Sequence, residues 1–335
     1  MRHVEAGGVH LSAVGLGTWQ FGAGEWGYGS QYASEVAPEI VNRSLDLGVN
    51  LIDTAEAYAF GRSEEIVGRA LGDRRNEAFL ATKLFPILPF DPVVHRRARG
   101  SLRRLGVDAL DLYQVHWHNP VVPVRATMSA MGSLQAEGLV RHVGVSNFSL
   151  ALWKEAEAAL GGPVLSNQVK FSLIDRGPER ELLAWAQAND RIVIAYSPLS
   201  QGLLSGRYGP DQLPSGMRAG TPAFLPDNVA LLSPVLDVLR QVAAAHDATC
   251  SQVALAWLMR RPNVVVIPGA SSVAQAEANA AAADLELTDD EDAALTAASD
   301  AFDPLRGAAA VPQLVRVRAE RAANRLRRAV EGLKG

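Results

Sequence analysis

The feature that most constrains the fold is an alternation. Short apolar or β-branched runs recur at residues 15–19, 49–52, 78–82, 110–115, 140–145, 164–169, 192–196 and 264–267. Between most of them lie longer amphipathic stretches, at 35–47, 63–71, 92–105, 123–137, 151–160 and 178–189. Repeated strand–helix alternation requires a parallel sheet covered by helices. Roughly eight such units over about 270 residues are what closure into a barrel demands. The expected fold class is α/β, a (β/α)8 TIM barrel.

Two features depart from the repeat. Residues 3–11, with Gly7 and Gly8 at their centre, read as an N-terminal β-hairpin placed to plug the barrel floor. Residues 197–228, rich in Gly, Pro and Ser, form a long loop after the seventh strand, and long loops in compact domains are usually functional. No Pro/Ser-rich linker divides the chain. It is expected to be one domain, with the barrel at about 13–287 and extra C-terminal helices at about 288–335. The stretch 314–334 reads as a basic, solvated helix, a partner or membrane contact being the outside alternative. Helix-start signals are Asp91 before Pro92, and capping boxes at Thr249/Gln252 and Thr288/Glu291.

With 335 residues and 48% hydrophobic content, a large core is available. A net charge of −4 gives no electrostatic ground for nucleic-acid binding. The single cysteine, Cys250, excludes an intramolecular disulfide and a multi-cysteine zinc site, and reads as a packed thiol. The first residues lack a secretory apolar region, and no apolar run approaches the roughly 18 residues of a membrane span. A cytoplasmic protein without membrane or nucleic-acid partners is expected. Residues 22–27 match GxGxxG formally, but no helix opens on the last glycine, so a Rossmann pyrophosphate site is not expected.

The chemistry lies at the strand ends. In LGVNLIDTAEAYAFGRSEE (47–65) an apolar run stops on Asp53, and Tyr58 follows in the loop. The third strand is expected to end on Lys83 and the fourth on His116. In a barrel these ends share one mouth, where active sites are built. A phenol has a pKa of about 10, and a nearby ammonium favours its ionised form. Asp53 can hold Lys83, and His116 can orient a carbonyl oxygen. The four together form a general acid for an oxygen that gains negative charge. His118 is the one candidate partner for His116 in a metal site; no third ligand follows at a suitable spacing, so no metal is expected.

GLGTW (15–19), the Asp53–Tyr58 stretch, ATK (81–83), LDLYQVH (110–116), GVSNF (144–148), AYSPL (195–199) and IPGA (267–270) occur in the order found in the aldo-keto reductases, and the chain resembles that superfamily from about residue 13 to 287. The resemblance implies a nicotinamide cofactor across the barrel mouth, NADP (NADPH) first and NAD as a possibility. It makes Tyr58 the proton donor, tuned by Lys83 and Asp53, with His116 orienting a small-molecule carbonyl substrate. It assigns Ser146, Asn147 and Gln168 to the carboxamide and Tyr196 to stacking on the nicotinamide ring. Gly17, Thr18 and Trp19 fall at the same mouth. The segment bearing Ser197, Pro198, Leu199, Gln201, Gly202, Ser205 and Arg207 resembles a cover for the pyrophosphate. Pro268, Gly269, Ala270, Ser271, Ser272, Gln275 and Asn279 resemble the adenosine side of the site. Many members carry Lys or Arg after IPGA where this chain has Ser271 and Ser272; a hydroxyl cannot neutralise a 2′-phosphate, which leaves NADH use open. Trp19, Trp26, Tyr28, Tyr32, Phe85 and Trp117 are candidate walls of an apolar substrate pocket.

The expected activity is reduction of aldehydes or ketones to alcohols. The alternatives are a cofactor-sensing regulatory subunit resembling potassium-channel beta subunits, and a metal-dependent barrel hydrolase. Substrate identity and oligomeric state are not legible at this level.

Overall fold

The computed structural model describes residues 1–24, 29, 31–209, 212–214 and 221–317. Contacts divide the chain into two compact units, Met1–Leu199 with Gln252–Leu287, and Ser200–Ser251 with the described part of Thr288–Gly335.

The first unit opens with an antiparallel pair, β1 (His3–Ala6) and β2 (Val9–Ser12), in which His3 faces Ser12 and Ala6 faces Val9. Eight parallel strands follow: β3 (Leu16–Gly17), β4 (Leu51–Asp53), β5 (Phe79–Leu84), β6 (Leu110–Val115), β7 (Val140–Ser146), β8 (Ser166–Lys170), β9 (Ile192–Tyr196) and β10 (Val264–Val266). Each pairs with its neighbour in chain order. The edges then meet, because Gly15 N donates to Val266 O (2.7 Å), Val266 N to Ala13 O (2.9 Å) and Gly17 N to Pro268 O (3.2 Å). A Cβ on Gly17 would stand 2.7 Å from the Ile267 carbonyl oxygen, so only glycine permits this seam.

Helices α1 (Ala37–Asp46), α2 (Arg62–Leu71), α3 (Asp91–Leu105), α4 (Val124–Ala136), α5 (Leu150–Leu160) and α6 (Leu182–Ala188) occupy successive strand connections. Helix α1 is entered through a wider turn, Tyr32–Val36, so helical structure begins before Glu35. Asp91 is the first residue of α3 and does not cap it. The Val93 and Val94 amides that a cap would satisfy already donate to Phe90 O (2.9 and 3.0 Å). Two further helices of this part of the fold are α9 (Cys250–Met259) and α10 (Val273–Ala281).

Side chains two apart on a strand share a face, and this layers the barrel interior. Leu51, Ala81, Leu112, Ile194, Val265 and Ile267 form an apolar layer with Ala6 and Leu11 of the hairpin, against which Val4 and Val9 pack. The hairpin thus closes the barrel floor with apolar surface. Burying one leucine in this way is worth about 1.5–3 kcal/mol. Two residues further along, the same faces carry Asp53, Lys83, Gln114 and Tyr196, and Gln168 of β8 joins them through Asp53.

In the second unit, α7 (Pro226–Leu231), α8 (Ser233–Ala245) and α11 (Asp289–Asp300) are joined by specific pairs. Asn228 Nδ2 donates to Leu305 O (3.0 Å) and receives Leu305 N on Oδ1 (2.7 Å). Leu225, Ala310 and Val317 bury one another. The Thr288/Glu291 capping box opens α11, and Glu291 also pairs with His246 at 2.8 Å. Residues 311–317 are helical, and the rest of the basic stretch lies outside the described residues. Among the described residues, no helix is long and apolar enough to cross a membrane.

Candidate active site

The polar layer is one connected network. Lys83 Nζ is fully buried and donates to Asp53 Oδ1 (2.6 Å), Thr54 O (2.8 Å) and Tyr58 OH (3.2 Å), which accounts for all three ammonium protons. The second Asp53 oxygen accepts from Gln168 Nε2 (2.8 Å) and Gln114 Nε2 (3.4 Å). A buried charge pair costs free energy unless its remaining lone pairs are satisfied, and the two carboxamides satisfy them. Lys83 is the penultimate residue of β5, so it does not close its strand as expected, and Gln168 is the middle of β8. Both still reach the mouth, because their inward faces carry them there.

Protonation follows from these contacts. Burial pulls the Lys83 ammonium down, but Asp53 and Tyr58 outweigh it and the net shift is upward; the lysine is charged. For Tyr58 the net direction is also upward. Burial raises the phenol, Lys83 opposes it and Asp53 adds to it. The expected lowering by the ammonium is therefore present but smaller than the desolvation, although the tyrosine as a whole is only half-buried. His116, just beyond β6, is held neutral: burial takes it down to about 3, with the Lys83 charge assisting. Its ring stands edge-on to Tyr58 with centroids 5.9 Å apart, and its buried Nδ1 has no hydrogen-bond partner among the described residues.

Aromatic side chains flank this centre. Trp117 stacks flat on His116 (centroids 3.9 Å apart, planes 2° apart), and Phe85 meets Trp117 edge-on at 5.5 Å. Trp117 and Trp19 are 43% and 47% exposed, so each presents indole surface to an incoming molecule. Trp26 and Tyr28 lie outside the described residues. Tyr32 donates its hydroxyl to Ala270 O (3.0 Å) and so ties a loop down.

The residues assigned to the carboxamide come together. Ser146 Oγ donates to Gln168 O (2.8 Å), as does Asn147 N (2.9 Å). Asn147, at φ 59°, donates through Nδ2 to Ser146 Oγ (3.1 Å) and receives the Tyr196 hydroxyl on Oδ1 (2.9 Å). Thr18 is buried and donates its amide and hydroxyl to Asp53 O (3.0 and 2.9 Å), joining the β3 and β4 ends. Ser197, Pro198 and Leu199 follow β9 directly. Pro268 and Gly269 follow β10, and Gly269 O accepts from Asn279 Nδ2 (3.3 Å). Ser271 donates its amide and hydroxyl to Gln275 Oε1 (both 2.8 Å), while Ser272 Oγ accepts Gln275 N (3.3 Å) as the N-cap of α10. Gln201, Gly202, Ser205 and Arg207 belong to the second unit. There Gln201 and Gly202 take positive φ, Ser205 Oγ donates to Gly202 O (2.6 Å) and Arg207 is exposed.

Gln114 and Thr54 were not anticipated. Gln114 carried a usable signal, a carboxamide two residues before His116 inside an apolar strand. His118 packs edge-on to Phe148 at 5.9 Å, and no group of three or more potential metal ligands occurs among the described residues. Cys250 is half-buried and burial raises its thiol, which suits a packed rather than reactive cysteine. A cleft of about 640 Å³ lined by His95, Arg96, Arg99, Arg103, Ser133 and Glu137 lies on α3 and α4, outside the mouth. It is lined by none of the groups above.

The description "Aldo/keto reductase family" belongs to the family model that matches residues 13–300. The uncharacterized oxidoreductase Rv2298 of Mycobacterium tuberculosis is 49% identical over 322 residues, 96% of this chain and 100% of its own length. Methylglyoxal reductase YeaE of Escherichia coli is 37% identical over 287 residues, 85% of this chain and 90% of its own. Among solved structures, an aldo-keto reductase from Klebsiella pneumoniae in complex with NADPH aligns with a TM-score of 0.72 at 32% identity, covering 92% of this chain and 99% of that one.

Proposed function

The chain belongs to the aldo/keto reductase family, and from that premise we propose that it reduces aldehydes or ketones to alcohols with a reduced nicotinamide dinucleotide, NADPH first. The observation that carries this reading is the triple engagement of Lys83 with Asp53, Thr54 and Tyr58. An ammonium so held is a fixed positive charge beside a phenol, and it has no purpose in packing that an apolar side chain would not serve better.

The residues present fit the nicotinamide group. Ser146, Asn147 and Gln168 offer hydroxyl and carboxamide atoms within one hydrogen-bonded cluster, beside the partly exposed Tyr196 ring. Bound there, the cofactor supplies the hydride that the carbonyl carbon accepts. The protein supplies everything else. His116, neutral, donates an N–H to the carbonyl oxygen and aims it at Tyr58. As charge grows on that oxygen, the Tyr58 O–H bond breaks and the proton completes the alcohol. The phenolate left behind faces Lys83 at 3.2 Å, which stabilises it until solvent returns a proton. Because burial holds the phenol above its ordinary value, Tyr58 keeps its proton at rest and gives it only to a strongly basic, developing alkoxide.

The Phe85 and Trp117 walls suit an apolar group beside the carbonyl, and the methylglyoxal reductase among the relatives supports including a small 2-oxoaldehyde in any panel.

Tyr58→Phe tests the reading. Removing a general acid should lower kcat by about 100-fold or more while the NADPH dissociation constant stays within about twofold. Near wild-type turnover by this variant would mean that the proton comes from another group.

A further inference from the structure

The loop from β4 to α2 carries Tyr58, yet little in its own backbone fixes it. Tyr58 N donates to Ala55 O (3.0 Å), and immediately afterwards Ala59, Phe60 and Gly61 all take positive φ, at 47°, 56° and 89°. Side chains disfavour that region, so this stretch is held in place by something else. Glu56, two residues before Tyr58, reaches across to the neighbouring strand. Its Oε1 accepts the Phe85 amide at 2.6 Å and Arg97 Nη1 at 3.0 Å. Phe85 lies two residues after Lys83. On the other side of Lys83, Glu64 of α2 accepts the Thr82 hydroxyl at 2.6 Å and Arg104 Nε at 2.6 Å. The segment bearing the phenol thus grips β5 immediately before and shortly after the lysine that must face it.

We propose that Glu56 is a positioning residue for the proton donor, its carboxylate fixing the Tyr58 loop against the Lys83 strand through the Phe85 amide. The inference rests on the reading of Tyr58 as general acid, but the contact can be examined without turnover.

Physical chemistry favours a built contact over an incidental one. Glu56 is half-buried by residue, with its side chain only 9% exposed, and burial raises its carboxyl against the opposing pull of the Phe85 amide and Arg97. Such a carboxylate persists only where partners are fixed. Arg97 and Arg104 of α3 supply the countercharge, with Arg104 Nη2 4.0 Å from Glu56 Oε2. Arg97 Nε and the Tyr113 hydroxyl are buried beside the same groups without hydrogen-bond partners among the described residues. A bond from Glu56 to a backbone amide also transmits position: Phe85 packs on Trp117 and edge-on to His116 at 6.4 Å, so the same carboxylate braces the aromatic that flanks the orienting histidine. The role is geometric, because the charges that act on the Tyr58 phenol are Lys83 and Asp53.

That distinction sets the experiment. Glu56→Ala removes the acceptor, whereas Glu56→Gln keeps a carbonyl oxygen for the Phe85 amide and removes only the charge. Each variant is compared with wild type for methylglyoxal and 4-nitrobenzaldehyde reduction, for the NADPH dissociation constant by fluorescence, and for the ¹³Cζ resonance of Tyr58, assigned by its loss in Tyr58→Phe. The expected result for Glu56→Ala is a kcat lowered about tenfold or more with the dissociation constant within about threefold, since small misplacements of a reacting group are costly. Its Tyr58 resonance should be displaced, and Glu56→Gln should restore both kcat and resonance. An alanine variant with unchanged kcat and resonance overturns the proposal. So does a glutamine variant as impaired as alanine, or a loss of cofactor binding that parallels the loss of turnover. If the wild type reduces no carbonyl compound, the reductase reading fails by itself. The resonance comparison still decides, displacement by Ala with restoration by Gln upholding the positioning role and no displacement ending it.

Discussion

Ser271 and Ser272 are adjacent in sequence but not equivalent. Ser272 caps α10, and replacing an N-cap costs about 0.5–2 kcal/mol of stability. Among the described residues the Ser271 hydroxyl serves only Gln275, on the exposed side of the turn. Ser271→Arg therefore places a guanidinium at the proposed adenosine end without unseating the helix. It should tighten NADPH, and leave NADH nearly unchanged, in a fluorescence titration of both. Equal tightening of the two would show that the position does not face a 2′-phosphate. Lys83→Met makes a different point about single residues. Among the described residues it leaves buried Asp53 with only the Gln168 and Gln114 amides as side-chain partners. An uncompensated buried charge costs about 3–5 kcal/mol, so urea unfolding should show a loss of that order, and Asp53→Asn added to it should recover a substantial part.

At the scale of elements, the barrel seam depends on one missing side chain. Gly17→Val would bring a Cβ within 2.7 Å of Ile267 O, a backbone atom that cannot yield without moving β10. Overpacking of this kind typically costs about 1–3 kcal/mol, and thermal unfolding should show a lower midpoint than for Gly24→Val, where a Cβ meets nothing within 4 Å among the described residues. A midpoint equal to that control would show the seam to be compliant. The strands were legible because apolar runs bounded by Gly and turn residues are local signals, and so were the hairpin at Gly7–Gly8 and the Thr288 box. What the sequence hid is non-local. Glu56 meets Phe85 and Gln114 meets Asp53 across 29 and 61 residues of chain, and no short pattern announces either pairing. Asp91 misled for a related reason: its cap role was pre-empted by the Phe90 carbonyl, a competitor visible only once the turn is built. The position of Tyr58, by contrast, was readable from Asp53 and its loop, while the net upward shift of its phenol depended on how much protein surrounds it.

At the scale of the whole molecule, a site built from buried polar groups ties the stability of the fold to pH, and His116 gives the clearest case. In the unfolded chain its imidazole has the ordinary value of 6.5, whereas in the native state burial lowers it to about 3. Above the unfolded value both states are neutral and the contribution is complete. As pH falls between the two values, the unfolded chain binds a proton that the native state refuses, so stability is lost, at up to about 1.4 kcal/mol per pH unit. Glu56 acts with the opposite sign. Its raised carboxyl favours the native state in acid, and that contribution is lost as pH rises. The total acid profile therefore mixes opposing contributions, and only a comparison of variants isolates one. His116→Asn cannot titrate and keeps a polar group in the pocket. Between about pH 7 and about pH 5, wild type should lose about 2 kcal/mol more unfolding free energy in urea than His116→Asn. Parallel losses in the two proteins would mean that native His116 takes up its proton in the same range as the unfolded chain. It could then be charged at neutral to mildly acidic pH, and its place in the mechanism would shift from a neutral donor to an imidazolium competing with Tyr58 for the same oxygen.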